Sequence, residues 1–253
     1  MTLRATLLLL LFTVLTGCVT TGDVNPMRTG EGRDAARDAY IQLGIGYLQQ
    51  GNTARAKAPL KKALALDSSN ADAHAALALV FQLEMETELA DEHFRKALSA
   101  SGDDTRILNN YGSFLYEQKR YPEAKARFEQ AAQDNLYPER ARVFENLGMT
   151  ALMMQQPAAA KAYFERALRL DVRQERALLE MAELSYAEKN YVQARSYYDS
   201  YAAVAEENAR SLLLGSRLAT IFDDRDKAAS LGLQLKRLYP GTAEYQQYVL
   251  EHR

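Results

Sequence analysis

Only one cysteine, Cys18, occurs in 253 residues, so the thiol has no disulfide partner within the chain. Valine, isoleucine and threonine hardly cluster, which argues against strands. Just six prolines interrupt a sequence that is 47% hydrophobic and rich in alanine, a composition that favours helix throughout. Neither sign of charge dominates. With 31 basic and 33 acidic residues the formal net charge is −2, so no large single-sign field is implied and nucleic acid is not an expected partner. Histidine is scarce at three, and HExxH, CxxC, GxSxG and the Walker loop are all missing. His74 and His93 have no second ligand at i+4 and read as packing or solvated residues, and His252 lies in the tail. The sequence therefore predicts no enzyme, no metal, no cofactor and no small-molecule substrate.

Long apolar runs are missing too, with one partial exception. From Ala5 to Leu15 the chain is apolar apart from Thr6 and Thr13, follows Arg4 and ends in small residues. This is the anatomy of a secretory signal over residues 1–17, several residues short of the 18 to 20 needed to span a bilayer. It runs directly into the single cysteine. Leu15-Thr16-Gly17-Cys18 resembles a bacterial lipobox, which implies cleavage before Cys18 and a covalent lipid on its thiol. Val19 is not the aspartate that favours inner-membrane retention in such lipoproteins, so the resemblance implies the outer membrane. Residues 18–36 carry no apolar periodicity and several glycines, and read as a lipidated tether.

The rest of the chain is periodic. Small residues recur at Gly44, Ala78, Gly112, Gly148, Ala182 and Ser216, spaced 34, 34, 36, 34 and 34, and a second ladder of Ala56, Ala90, Ala124, Ala160, Ala194 and Ala228 keeps the same spacing. Leu43, Leu77, Tyr111, Leu147 and Met181 precede the first ladder, and Leu60, Phe94, Phe128, Phe164 and Tyr198 follow the second by four. These match the tetratricopeptide pattern, in which the small residue of helix A lets helix B approach and the large residue of B fills the gap. Neither helix can bury its apolar face alone, so the units must stack. The expected fold is all-α: a right-handed solenoid of six helix-turn-helix repeats over 37–70, 71–104, 105–138, 141–174, 175–208 and 209–242, with a capping helix over 243–253. Pro122 opens a B helix, Pro59 is expected to kink one, and Pro138 begins a two-residue insertion. Most of the 15 tyrosines occupy or flank signature slots, so a core role outweighs an aromatic recognition box. The charge run from Asp223 to Lys227 falls at the turn of repeat 6 and reads as a solvated turn.

Function in such an array rests on the concave face lined by the A helices. Ile41, Ile45 and Leu48 follow i, i+4, i+7 spacing in repeat 1, and Leu79 and Leu83 continue the stripe in repeat 2, so these five are the expected protein-binding groove. Repeat 3 presents the polar set Arg106, Asn109, Ser113, Tyr116 and Glu117, and repeat 4 offers Met149, Leu152 and Met153 as a fallback site.

Beyond the repeat signature, the words "RDAYIQLGIGYLQQGNTARAKAPLKKAL" (37–64), "NNYGSFLYEQKRY" (109–121), "YPERARVFENLGM" (137–149) and "LQLKRLYPGTAEYQ" (233–246) resemble the type IV pilus biogenesis lipoproteins, the pilotins of the PilF/PilW family. The resemblance implies an outer-membrane lipoprotein that helps the secretin subunit reach that membrane and form its multimer. The rival expectation is a periplasmic lipoprotein adaptor for cell-wall hydrolases or outer-membrane barrel assembly.

Overall fold

The computed structural model describes Met27 and residues 29–102 and 104–252; Cys18 and the apolar run before it lie outside the described residues. Thirteen helices and no strand occur among them. Repeat 1 is α1 (Gly30–Gln49) with α2 (Thr53–Leu66), repeat 2 is α3 (Ala71–Leu83) with α4 (Thr87–Ser101), and repeat 3 is α5 (Thr105–Glu117) with α6 (Tyr121–Ala131). Repeat 4 pairs α7 (Arg140–Met153) with α8 (Pro157–Leu170), repeat 5 α9 (Glu175–Ala187) with α10 (Tyr191–Ala202), and repeat 6 α11 (Ala209–Ile221) with α12 (Arg225–Leu238). The last helix among the described residues is α13 (Ala243–Glu251), which packs on α11 and α12. Each A helix packs chiefly on its own B helix, and each B helix on the next A helix, so the array is stitched by nearest neighbours.

The A-to-B turn repeats with little change. Gly51, Met85, Lys119, Gln155, Lys189 and Asp223 stand at equivalent positions with φ between 58° and 71°. In each turn the next residue's N–H reaches back to close the end of helix A, as Asn52 N to Tyr47 O and Arg120 N to Leu115 O, both 2.9 Å. Only the first turn uses glycine, the residue that enters this left-handed region without steric cost. Pro122 sits in the first turn of α6 and Pro157 opens α8, where a missing N–H costs nothing. Pro59 lies buried inside α2, which is one continuous helix from Thr53 to Leu66.

The small-residue ladder has the expected steric reason. A Cβ on Gly44 would come 2.5 Å from the Leu60 side chain and one on Gly112 would come 2.6 Å from the Phe128 ring, while one on Gly148 would overlap Phe164. Phe94, Phe128 and Phe164 are buried in one continuous core that runs through repeats 2 to 5. Repeat 6 departs from the scheme. Gly232 stands where the other B helices carry their large residue, and Tyr248 from α13 fills the space against it. Helix α13 occupies the place of a seventh A helix, with Leu250 falling 34 residues after Ser216 at the small-residue position, and Leu250 is 65% exposed.

Two expectations are corrected. The tether read over 18–36 ends earlier, because residues 30–36 form the first two turns of α1, started by the Thr29 side chain accepting from Gly32 N at 3.0 Å and by Glu31 in the first turn. Leu43 occupies a signature slot yet is 47% exposed, whereas Leu77, Tyr111, Leu147 and Met181 are at most 3% exposed. The slot packs against the preceding B helix, and α1 has none before it among the described residues.

Candidate binding groove

The five aliphatic residues expected on one stripe divide. Ile41 is 4% exposed and packs with Ala63 and Ala73, so it belongs to the core between α1, α2 and α3 and is corrected from groove to core. Ile45 and Leu48 are half-buried against Leu60, Leu77 and Val80. Leu79 is half-buried against the central core, and Leu83, at the end of α3, is 60% exposed. The accessible part of the stripe is thus its second half. The three lie within about 60° of one another around α1, so the difference is one of level along the helix: at Ile41 the stripe is covered by Ala63 of α2 and Ala73 of α3. In repeat 4, Met149 and Leu152 are half-buried on the core and Met153 is largely exposed.

Farther along, the A-helix face becomes ionic. Arg106, Arg142, Arg176 and Arg210 stand at equivalent positions near the starts of α5, α7, α9 and α11. Arg106 pairs with Asp72 of α3. Arg176 pairs with buried Glu145 of α7 at 2.6 Å, and the same carboxylate accepts from Ala177 N at 3.2 Å, capping α9 from its neighbour. Arg210 pairs with buried Glu180 of α9 at 2.8 Å and lies 3.7 Å from Glu183. The hydrogen bond to Glu180 raises the Arg210 pKa, and burial pushes the Glu183 carboxyl up against the pull of Arg210. At the far end Arg217 donates to both oxygens of Glu251, tying α11 to α13. Asn146 bridges the middle, donating to Asn109 at 3.2 Å and accepting from Arg176 at 3.0 Å. These bonds fix the register of successive A helices and line the face with paired charge.

Two internal polar groups are invisible in the repeat pattern. Asp91 of α4 is buried and accepts from the Tyr111 hydroxyl and from Arg120, each at 2.8 Å, while Arg95 closes a third bond at 2.8 Å. Burial and then the bond to Asp91 push the Tyr111 hydroxyl up to about 12. His74 and His93 approach with their Nδ1 atoms 3.0 Å apart, and His74 Nε2 lies 3.1 Å from the Ser68 carbonyl oxygen. If His74 donates to Ser68, its Nδ1 accepts from His93, and both N–H donors find a partner with the two rings neutral. Burial, followed by the neighbouring His74, lowers the His93 pKa to about 4, and burial lowers that of His74 as well. The histidines lie 19 residues apart on different helices, and only the position of His93 next to the Phe94 slot hints at their meeting. Among the described residues no group of three or more histidine, cysteine or acidic side chains is placed to hold a metal ion.

The tetratricopeptide-repeat family matches the chain over residues 103–171 and, by a second repeat description, over 41–84 and 145–211. The type IV pilus assembly protein PilF of Pseudomonas aeruginosa is 64% identical over 251 residues, covering 99% of this chain and all of that protein. A solved structure from a functional characterisation of Pseudomonas aeruginosa PilF superposes with a TM-score of 0.85 at 64% identity, over 87% of this chain and 99% of that one. The crystal structure of PilW, described as a widely conserved type IV pilus biogenesis factor, gives 0.72 at 29% identity, over 84% and 98%. YrrB, at 20% identity and a TM-score of 0.59 over 75% of this chain and 96% of its own, shares the fold. With its six repeats, its capping helix and this likeness along nearly its whole length, the chain belongs to the PilF/PilW family of tetratricopeptide-repeat proteins of type IV pilus biogenesis.

Proposed function

We propose that the protein is an outer-membrane lipoprotein that acts as a pilotin: anchored through a lipid on Cys18, it binds the secretin subunit and promotes its localisation and multimerisation. The observation that carries this reading is the apolar strip of Leu79 and Leu83, continued by Ile45 and Leu48, on the A-helix face of the repeats closest in sequence to Cys18. An amphipathic helix or extended segment of a partner can lay its apolar side there, removing Leu83 from water at roughly 25 cal/mol per Å² of apolar surface. A client gripped at repeats 1 and 2 is held beside the membrane it has to enter.

The test is Leu83→Asp, which falls on an exposed position and so spares the core, whereas Ile45 packs on buried Leu77 and is a poor probe. Secretin multimers on semi-denaturing gels should be lost while helicity, melting and membrane fractionation stay at wild-type values. Normal multimers in the folded variant would remove the strip from the reading. Separately, Cys18→Ser should leave a protein that no longer fractionates with outer membranes or takes up a palmitate analogue; retained label would overturn the anchor.

A further inference from the structure

Three of the four equivalent arginines close on a carboxylate from the preceding A helix, and one does not. Arg106 has Asp72, Arg176 has Glu145 and Arg210 has Glu180. Helix α5, which precedes Arg142, carries Arg106, Asn109 and Asn110 at the positions equivalent to Asp72, Glu145 and Glu180, and its groove-side acid, Glu117, lies in its last turn. Arg142 instead reaches back to Glu139, three residues earlier at its own helix start, at 3.0 Å with both side chains at least half exposed. Such a surface pair holds its partners weakly, by about 0 to 1 kcal/mol in general, and exchanges readily for a better acceptor. Beside Arg142 opens a cavity of about 280 Å³, walled by Tyr116, Phe128 and Met149 and edged by Arg142 and Arg176. Glu117 stands at the other end, at the last turn of α5, where its carboxylate accepts from Gln82 at 2.6 Å.

The geometry points to an acidic side chain of an extended partner segment as the occupant of this cavity, its carboxylate completing the missing rung on Arg142 while an adjoining apolar side chain lies over Tyr116 and Met149. Bidentate pairing of guanidinium with carboxylate gives direction as well as strength. Glu117 repels an acid at the opposite end, so the segment enters with its carboxylate toward the helix starts. This site lies in repeats 3 to 5, apart from the apolar strip, and stands whether or not the partner is a secretin.

The probe is the blocked tripeptide Ac-Leu-Glu-Phe-NH2 against Ac-Leu-Gln-Phe-NH2, titrated to about 5 mM, the range that captures millimolar affinities, into full-length protein carrying labelled methionine methyl and arginine Nε groups. The glutamate peptide should shift Met149 methyl and Arg142 Nε–H, and the glutamine peptide should bind about tenfold more weakly, the difference expected of a charge-assisted pair. Arg142→Gln should erase that discrimination without changing the far-ultraviolet spectrum, and Arg106→Gln should keep it. Equal binding of the two peptides, or discrimination that survives Arg142→Gln, overturns the proposal. In a second sample labelled at leucine methyls, shifts confined to Leu79 and Leu83 also overturn it while favouring the apolar strip. No shift anywhere overturns it and leaves the strip to its own multimer assay.

Discussion

The middle of the solenoid and its two ends obey the same repeat but satisfy it differently. In repeats 3 and 4 the slot is closed within the repeat, glycine against phenylalanine, and the groups behind it are fully enclosed. At the amino end α1 runs for 20 residues, six or seven more than the other A helices of the repeats, yet leaves Leu43 half uncovered. At the carboxyl end the large residue is transferred out of the repeat: Gly232 yields its place and Tyr248 arrives from α13. The difference teaches that the signature records a space to be filled, and that the filler can come from a helix outside the repeat.

The sharpest way to break the middle is Asp91→Ala, which leaves the buried Tyr111 hydroxyl without its acceptor, a loss of about 1 to 3 kcal/mol, and also takes away one partner of Arg120; chemical denaturation should report the sum. Gly148→Ala comes next. Its Cβ meets the Phe164 ring, held in the core, and overpacking of this kind costs about 1 to 3 kcal/mol by the same measurement. Gly232→Ala puts the same atom at the carboxyl end, but Tyr248 is half-buried and belongs to the last described helix, so the expected result is local. Amides of α13 should exchange faster while those of α5 to α8 keep their protection; loss of protection along the whole array would erase the contrast between middle and end.

The smallest effect is a pH dependence in repeat 2. His93, depressed to about 4, and His74, also lowered, stay neutral while an unfolded histidine takes up its proton near 6.5. The unfolded state then binds more protons, so the pair's contribution is intact above about pH 6.5 and is lost as pH falls toward 4. Glu92 and Asp67 pull the other way and Lys96 reinforces the depression. His93→Gln keeps a donor for His74 and should flatten the fall in melting temperature between about pH 6.5 and 4 relative to wild type, with little change at about pH 7.5. An identical slope in both proteins would show that the pair carries none of it.

The A helices of repeats 2 to 6 begin within one residue of the starts read from the sequence, at Ala71, Thr105, Arg140, Glu175 and Ala209, because a 34-residue period is imposed by sterics at every contact and so is written many times over. The start of the first helix is not legible in this way, because Gly30 and Gly32 have poor helix propensity, and the Thr29 cap and the Arg37–Asp34 pair that offset it are single local features. The groove is only half legible. Helical spacing places Ile41, Ile45 and Leu48 on one stripe but does not say which part of that stripe a neighbouring helix covers. The buried contacts of Asp91 and the histidine pair are not legible, since Tyr111, Arg120 and the second histidine lie on other helices and no fixed spacing joins them.

Leu250 has a consequence for assembly. A stack whose last unit presented an open slot would be a growing tip, ready to accept a B helix from another molecule and to hand the same vacancy onward. By placing a branched side chain where every earlier rung is glycine, alanine or serine, the last helix presents a plug in place of a socket. A B helix docking on this position in register would have to displace the Leu250 side chain, and Leu250→Gly is the change that would remove that obstacle.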